Sequence, residues 1–266
     1  MTIPKNKVLI YAGPGVSLTS LKHVKYTLTL LLDSYYNIEE MTSSQIIHNS
    51  WEEKAVLFVI PGGSDLLYLR SLETKGNDKI RKYVEKGGAY LGLCAGAYYA
   101  GNSIQFAMNT PLQITGDREL NFFPGIVAGP ILADYDYHSY SGARVAQLYW
   151  NSAEQFSKST LLNVFYNGGG YFVDATFKKN TTVLASYNIH SDFKPAIIEV
   201  NYGTGKVILS GVHWEYNPNM LDSYDSHLKN LIPQLKGCYH QTLELASYLI
   251  SSLGLKLKIK EIALQK

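Results

Sequence analysis

The chain has 266 residues, of which 46% are hydrophobic and 17% are charged, and its formal net charge is +2. This composition can bury a large core and creates no strong basic field, which excludes a disordered or collagen-like chain and disfavours nucleic-acid binding. The early apolar run Val8–Ala12 is too short for a signal sequence or a membrane span. With two cysteines, Cys94 and Cys238, and no CxxC pair, we expect a cytoplasmic protein with free thiols that does not contact a membrane.

The N-terminal part of the chain alternates between short apolar runs and helical patterns. Lys7–Ala12 is continuous rather than alternating, which is typical of a strand buried on both faces. Further strands are predicted around Tyr36–Met41 and at Ala55–Ile60 and Ala89–Leu93. Helices are predicted at Leu18–Leu32, where apolar residues recur at helical spacing, at the charged segment Asn77–Lys86, and from Ala95–Ala100 onward. This order predicts an α/β fold with a mostly parallel sheet and helices on both faces.

The second part of the chain has a different character. Residues 105–173 are rich in Gly, Pro, Tyr and Asn, which predicts an antiparallel insertion with long loops. Further strands are predicted at Ala143–Trp150, Asn163–Tyr166, Thr182–Tyr187, Ala196–Val200 and Lys206–Ser210, the last two joined by a hairpin turn at Asn201–Gly205. A final helix spans Gln241–Leu253, and the basic segment Lys256–Lys266 is expected to be a solvated tail. Because no linker or repeat interrupts this order, we expect one domain over residues 1–266.

The most informative segment surrounds Cys94, where a buried strand ends in Gly-Leu-Cys-Ala-Gly and a helix follows at once. Gly-x-Cys-x-Gly at such a junction is the thiol version of the nucleophile elbow. Gly92 and Gly96 leave room for a tight, strained turn at Cys94. The helix N-terminus favours a thiolate, and the N–H of Ala95 would point to a developing oxyanion. The alternative is a small buried thiol that packs as an apolar residue.

Two further segments could complete a site with Cys94. Pro61-Gly62-Gly63 ends the neighbouring strand, and the bare backbone of Gly63 is the predicted second donor of an oxyanion hole. His213 and Glu215 follow the last strand, and an extended backbone would turn both to one face. His213 as a base oriented by Glu215 would complete a Cys–His–Glu triad. The alternative for His-x-Glu is a pair on a surface loop.

Three segments of the chain match motifs of a known protein family: Val59–Asp65, Tyr90–Tyr99 and Gly211–Pro218. They resemble class I glutamine amidotransferase-like domains and, more narrowly, the N-terminal domain of eukaryotic-type biotin–protein ligases. Four other segments fit the ligase domain as well: Val8–Gly15, Gly116–Gly125, Ser141–Arg144 and Tyr166–Asp174. The resemblance covers most of the chain.

The resemblance implies a flavodoxin-like sheet. In the amidotransferases Cys, His and Glu hydrolyse an amide through a thioester, and by motif position these are Cys94, His213 and Glu215. The site is expected at the carboxyl edge of the strands. The residues predicted to contact the substrate there are Gly62, Ser64, Tyr98, Asn167 and Gly168. The ligase family transfers biotin with a separate domain that contains a Gly-Arg-Gly nucleotide loop, and this sequence has no such loop, so we do not expect the chain to biotinylate a protein by itself.

Other conspicuous residues have a structural explanation. Asp65 is predicted to be a helix N-cap rather than a catalytic acid. Gly13-Pro14-Gly15 is predicted to be a simple turn, because it lacks the lysine of a phosphate-binding loop. Asn167–Gly170 either brings bare backbone to a ligand or forms a flexible turn, and Cys238 is interpreted as inert.

Asp134, Asp136 and His138 alternate along the chain and would share one face of a strand. Such a face could bind a metal ion, but any solvated polar strand has the same pattern, and no fourth ligand is indicated. We therefore expect neither a metal nor a cofactor.

Two functions from different classes are compatible with these patterns. The first is a thiol-dependent amide hydrolase or amidotransferase that acts on a small carboxamide. The second is a non-catalytic binding or regulatory module that keeps the nucleophile elbow and acts on a protein partner or senses a small ligand. A glyoxalase- or chaperone-like thiol protein ranks last, because the usual acidic partner is missing from the sequence near the elbow.

Overall fold

A computed structural model describes residues 5–151, 161–189 and 192–258. The helices in these ranges are α1 (Leu18–Leu31), α2 (Ser43–His48), α3 (Asp65–Glu85), α4 (Ala95–Tyr99) and α5 (Ile232–Ser252). The strands are β1 (Lys7–Tyr11), β2 (Asn37–Met41), β3 (Ala55–Ile60), β4 (Ala89–Leu93), β5 (Gly101–Phe106), β6 (Ile114–Asp117), β7 (Phe123–Gly129), β8 (Arg144–Trp150), β9 (Leu161–Tyr166), β10 (Tyr171–Phe172), β11 (Thr181–Ile189), β12 (Asp192–Tyr202) and β13 (Gly205–Ser210).

The main sheet has the strand order β2-β1-β3-β4-β13-β12-β11-β8-β9. The strands from β2 to β13 are parallel, and their order matches the 2-1-3-4-5 order of flavodoxin-like sheets, with β13 in the fifth place. The strands from β12 to β9 are antiparallel and extend the sheet on one side. The predicted α/β class is therefore confirmed.

Helices cover both faces because the central strands carry apolar side chains on both. In β1, Leu9 and Tyr11 pack in the same cluster as residues of α3 and α4. Val8 and Ile10 of the same strand pack with residues of α1 and α5 on the opposite face. This two-sided burial explains why the central strands have continuous rather than alternating apolar sequences.

The insertion after α4 differs from the prediction in one respect. β8 and β9 join the main sheet as antiparallel strands, as expected. The other insertion strands form a separate sheet in the order β10-β7-β5-β6, in which β5 and β7 are parallel. β5 begins at Gly101, directly after α4, so it starts in the helical layer and pairs there instead of reaching the main sheet.

Two helices begin earlier than predicted. α3 begins at Asp65 rather than Asn77 and contains a break at Glu73, whose φ is 53°. α5 begins at Ile232 rather than Gln241, although Pro233 lies in its first turn. Proline is tolerated in a first turn because the N–H that it lacks would have no partner in the helix. The short helix α2 was not predicted, although Thr42 forms a capping box with Gln45.

The start of the predicted tail pairs with the end of α1. Leu257 is partly buried and forms an isolated β-bridge with Leu32, and the N–H of Lys258 donates to the carbonyl of Leu31 at 2.9 Å. Lys256 and Lys258 themselves are exposed. Residues 259–266 of the predicted tail lie outside the described residues. Within the described ranges, no helix combines the length and the apolar character needed to cross a membrane.

Candidate active site

Cys94 lies at the junction of β4 and α4, at the carboxyl edge of the sheet. Its φ of 49° and ψ of −105° form a conformation that costs a residue other than glycine on the order of 1–3 kcal/mol. Gly92 and Gly96 permit this turn because they have no side chains. A side chain at Gly92 would overlap the backbone carbonyl of Gly96, and one at Gly96 would overlap that of Ile60. The N–H of Cys94 donates to the carbonyl of Ser210 at 2.8 Å, which ties the turn to β13.

His213 and Glu215 lie beside Cys94. β13 pairs with β4, so the segment after Ser210 reaches the same sheet edge as Cys94. His213 Nδ1 lies 2.7 Å from Glu215 Oε1, so Nε2 is the ring nitrogen that the carboxylate leaves free. His213 and Cys94 line the same cavity. The backbone turns in this segment instead of staying extended, and the N–H of Tyr216 donates back to the carbonyl of His213 at 3.3 Å. The structure thus brings the three predicted residues together.

The His213–Glu215 pair is almost fully buried, with 4% and 1% exposed. Burial by itself lowers the pKa of His213, but the charges of Glu215 and Cys94 and the hydrogen bond to Glu215 outweigh it and raise the pKa to about 10. Glu215 Oε2 has no hydrogen-bond partner among the described residues. The positive charge of the His213 ring therefore compensates the burial of this carboxylate. The ring is therefore an imidazolium at neutral pH and holds a proton next to the thiol.

A cavity of about 310 Å³ opens at Cys94. It is lined by the predicted residues Gly62, Gly63, Ala95, Tyr98, Asn167 and Gly168. In the described part of the chain, no backbone hydrogen bond occupies the N–H of Gly63 or of Ala95. Because α4 has five residues, its macrodipole is small, and these free N–H groups are the main local positive charge that the backbone supplies. Ser64, which was also predicted to contact the substrate, does not line the cavity.

Asn167 approaches the thiol with its backbone. Its carbonyl lies 3.6 Å from Cys94 Sγ and accepts from the thiol, whereas its side-chain Oδ1 is buried without a partner among the described residues. The carbonyl of Gly168 accepts from the Tyr98 hydroxyl at 3.3 Å. The segment Asn167–Gly170 therefore presents bare backbone to the cavity and is held in place by hydrogen bonds.

A loop of residues 130–143, between β7 and β8, supplies an aromatic wall of the cavity. Tyr135 and Tyr137 of this loop line it. Asp134, Asp136 and His138 were predicted to share one face of a strand, but all three lie on this loop. Asp136 Oδ1 accepts from the N–H of His138 at 2.9 Å. Across the described ranges, no group of three His, Cys, Asp or Glu residues is arranged to bind a metal ion.

A buried ion pair borders the cavity. Arg118 Nε donates to Asp65 Oδ2 at 2.6 Å, and the two side chains are 1% and 8% exposed. Burial raises the pKa of Asp65, and the charge and hydrogen bond of Arg118 offset part of this rise. The predicted N-cap at Asp65 is wrong, because Ser64 occupies the N-cap position and Asp65 lies in the first turn of α3. Asp65 instead connects α3 to the insertion through Arg118.

The sequence pattern predicted only part of the buried face of α1. Val24, Leu28 and Leu31 of the predicted apolar face are buried, but Leu18 is 81% exposed. The polar residues Ser20, His23 and Thr27 are buried as well. Burial, followed by the charges of His213 and Lys22, lowers the pKa of His23 to about 4, so this ring is neutral. The signal in the sequence was a polar stripe at helical spacing beside the apolar stripe.

Comparison with known proteins identifies the family. Residues 6–266 match the family described as Biotin-protein ligase, N terminal. The biotin–protein ligase of Schizosaccharomyces pombe is 34% identical over 255 residues, which are 94% of this chain and 38% of that ligase. An uncharacterized protein of Chlamydia muridarum is 34% identical over 232 residues, which are 86% of this chain and 88% of that protein.

Solved structures share the fold at low sequence identity. A ThuA-like protein from Bacteroides uniformis has a TM-score of 0.53 at 11% identity, over 94% of this chain and 91% of its own. The mmIFT52 N-terminal domain has a TM-score of 0.52 at 15% identity, over 97% of this chain and 100% of its own. These likenesses concern the fold alone, whereas the family match extends over nearly the whole sequence. The chain belongs to the family of biotin–protein ligase N-terminal domains.

Proposed function

We propose that this chain is a cysteine-dependent hydrolase of small carboxamides, in which Cys94, His213 and Glu215 form the triad. The proposal is carried by one observation. A histidine held by a buried carboxylate at 2.7 Å lines the same cavity as a thiol on a strained turn. A thiol, a base and a group that orients the base are the parts that covalent acyl transfer needs. The resemblance to glutamine amidotransferases supports a carboxamide as the substrate class.

In the first half of the reaction, the Cys94 thiolate attacks the carboxamide carbon and a C–S bond forms. The carbonyl electrons move to the oxygen, where the N–H groups of Gly63 and Ala95 stabilise the negative charge. The tetrahedral adduct then collapses, and the C–N bond breaks as Nε2 of the His213 imidazolium protonates the leaving nitrogen. Ammonia departs and a thioester on Cys94 remains.

In the second half, the neutral ring of His213 takes a proton from water, and the hydroxide attacks the thioester carbon. The C–S bond breaks, the carboxylic acid leaves, and the sulfur returns to the thiolate beside the imidazolium. Glu215 keeps Nδ1 protonated throughout, so that Nε2 performs every proton transfer.

The direct test measures ammonia released from glutamine, asparagine and simple aliphatic amides, together with the mass of the peptide that contains Cys94. We expect release of ammonia and acid in equal amounts from at least one amide, and an acyl group on Cys94 after rapid quenching. If no amide releases ammonia above the rate without protein, the hydrolase proposal is wrong. The non-catalytic binding module then becomes the better explanation.

The rate of Cys94 alkylation by iodoacetamide is expected to be high at neutral pH and to fall in Glu215→Gln. A simple thiol reacts with a midpoint near pH ~8.5, because the thiolate is the reactive form. The raised pKa of His213 keeps the ring charged up to about pH 10, and this cation stabilises a neighbouring thiolate. Removing the charge of Glu215 lowers the pKa of His213, so the ring loses its proton at a lower pH and the thiolate loses its partner.

Glu244→Gln is the matched control, because Glu244 also pairs with a histidine, His240, but at an exposed site on α5. Its alkylation profile should equal that of the wild type. Equal alkylation profiles for Glu215→Gln and the wild type would contradict the expected role of the His213–Glu215 pair.

The raised pKa of His213 also makes the stability of the fold depend on pH. A histidine whose pKa is raised on folding stabilises the fold most below its unfolded pKa of ~6.5, and this contribution disappears as the pH rises through about 10.

A further inference from the structure

The buried face of α1 contains three polar side chains, although a helix that packs on a sheet normally buries apolar ones. These are Ser20, His23 and Thr27, and each is 1% exposed. A buried polar group destabilises a fold unless it is hydrogen-bonded. The partners of these three side chains therefore explain why polar residues occupy this face.

All three side chains bond to the loops that carry the candidate site rather than to α1 itself. Ser20 Oγ accepts from the N–H of Gly62 at 2.9 Å, next to Gly63 of the predicted oxyanion hole. Thr27 Oγ1 donates to the backbone carbonyl of Glu215 at 2.7 Å. Because these two bonds start from one rigid helix, they set the position of the turn after β3 relative to the segment after β13.

His23 makes the third connection. Its Nδ1 accepts from the N–H of Asn217 at 3.0 Å, and its ring stacks on Tyr216 with centroids 4.1 Å apart and planes 3° apart. Tyr216 in turn packs against His213, with ring centroids 4.7 Å apart. The neutral state of His23 leaves Nδ1 free to accept, and it avoids a second cation beside the imidazolium of His213.

We propose that α1 is the positioning element of the site, and that Ser20, His23 and Thr27 are positioning residues that hold the Gly62 turn and the His213–Asn217 segment in register with Cys94. None of the three is assigned a chemical step. The inference rests on the proposed function, because register with Cys94 matters when the thiol reacts. Acyl transfer needs the nucleophile, the base and the oxyanion donors within about 0.5 Å of their productive positions. These groups follow three different strands, β3, β4 and β13, and α1 contacts the loops after two of them.

The test compares Thr27→Val, which keeps the side-chain shape, with Thr27→Ser, which keeps the hydroxyl. The control is Thr29→Val, since Thr29 is an exposed residue of the same helix and its hydroxyl donates to the carbonyl of Lys25 in α1 itself. Two readouts are measured on the full chain: the pKa of the His213 ring by NMR titration, and the turnover of the amide that the wild type hydrolyses. The titratable groups that face His213 are Glu215 and Tyr216 on its own segment, Cys94 after β4 and His23 on α1.

In Thr27→Val we expect the pKa of His213 to fall by about 1 or more, because Glu215 loses its fixed place beside the ring. Turnover should fall by about 10²-fold, the scale of a displacement of 1 Å. Thr27→Ser should restore both quantities, and Thr29→Val should leave both at the wild-type value. A wild-type pKa of His213 in a folded Thr27→Val would overturn the inference, as would equal effects of the two valine variants.

A second pair of variants keeps the inference testable if Thr27→Val does not fold. Asn at position 23 places Oδ1 where His23 has Nδ1, so His23→Asn should retain the bond to the N–H of Asn217, whereas His23→Leu should lose it. We expect a lower pKa of His213 and slower turnover in His23→Leu than in His23→Asn, and equal values for the two would overturn the inference. If the wild type has no turnover, the proposed function fails, but the NMR titrations still decide whether α1 positions His213.

Discussion

Replacing Cys94 with serine is expected to reduce ammonia release from the hydrolysed amide by a factor on the order of 10⁴ or more. A serine hydroxyl is similar in size, but it is a weaker nucleophile than a thiol and ionises far less readily. The covalent route through a thioester is then closed, and only binding and the oxyanion donors remain. The measurement is the initial rate of ammonia release at a saturating amide concentration, with the fold checked by circular dichroism.

Cys238→Ser is the control for this substitution. Cys238 is also buried, but it lies on α5, where its Sγ is 3.2 Å from the carbonyl of Asn163 and does not line the cavity. A serine hydroxyl can make the same donation, so we expect wild-type turnover. Comparable losses in the two serine variants would show that cysteine replacement harms the fold in general. Unchanged turnover in Cys94→Ser would disprove the role of Cys94 as the nucleophile.

Replacing Asp65 with alanine is expected to lower the free energy of unfolding by about 3–5 kcal/mol. The guanidinium of Arg118 would stay in a site that is 1% exposed, with its carboxylate partner removed. Its Nη2 already has no hydrogen-bond partner among the described residues, while Nη1 donates to the carbonyls of Gly116 and Asp117. The charge would therefore be left without compensation, which is the costly case for a buried ion pair. Urea unfolding of the wild type and the variant measures the difference.

Two further variants separate the effect of burial from that of charge. Asp78→Ala removes the carboxylate of an exposed pair, since Asp78 lies 3.9 Å from Arg81 and both side chains are more than 40% exposed. We expect a change within about 1 kcal/mol there. The double variant Asp65→Ala, Arg118→Met should recover part of the lost stability, because the unpaired charge is gone. A loss in Asp65→Ala as small as that in Asp78→Ala would contradict this account.

Local sequence predicted the elements that lie at the centre of the sheet. Ala55–Ile60 and Ala89–Leu93 are strands with the predicted bounds, because burial on both faces requires an uninterrupted apolar run. The strand–helix junction at Cys94 was also predictable, since Gly92 and Gly96 are needed wherever the backbone passes so close to other carbonyls. Each of these features requires particular residue types within its own segment, which a sequence pattern records directly.

Helix starts were less predictable because they depend on distant partners. The first turn of α3 is held by the ion pair of Asp65 with Arg118, which comes 53 residues later in the chain, after α4 and β6. The first turns of α5 contain Pro233 and Gly237, which have low helix propensity, yet Ile232 and Leu235 pack with Phe165 and Tyr216 in a small core cluster. Tertiary packing overrides local propensity at both places.

The sequence by itself determined the α/β class, the strand–helix turn at Cys94, and the candidate partners His213 and Glu215. Only the tertiary structure decided that these three side chains meet, because β13 lies beside β4 through pairing of strands far apart in the chain. It also decided that α1 presents Ser20, His23 and Thr27 to the site loops. A hydrogen bond between distant segments leaves no periodic trace in either segment, so it becomes visible when the fold brings donor and acceptor together.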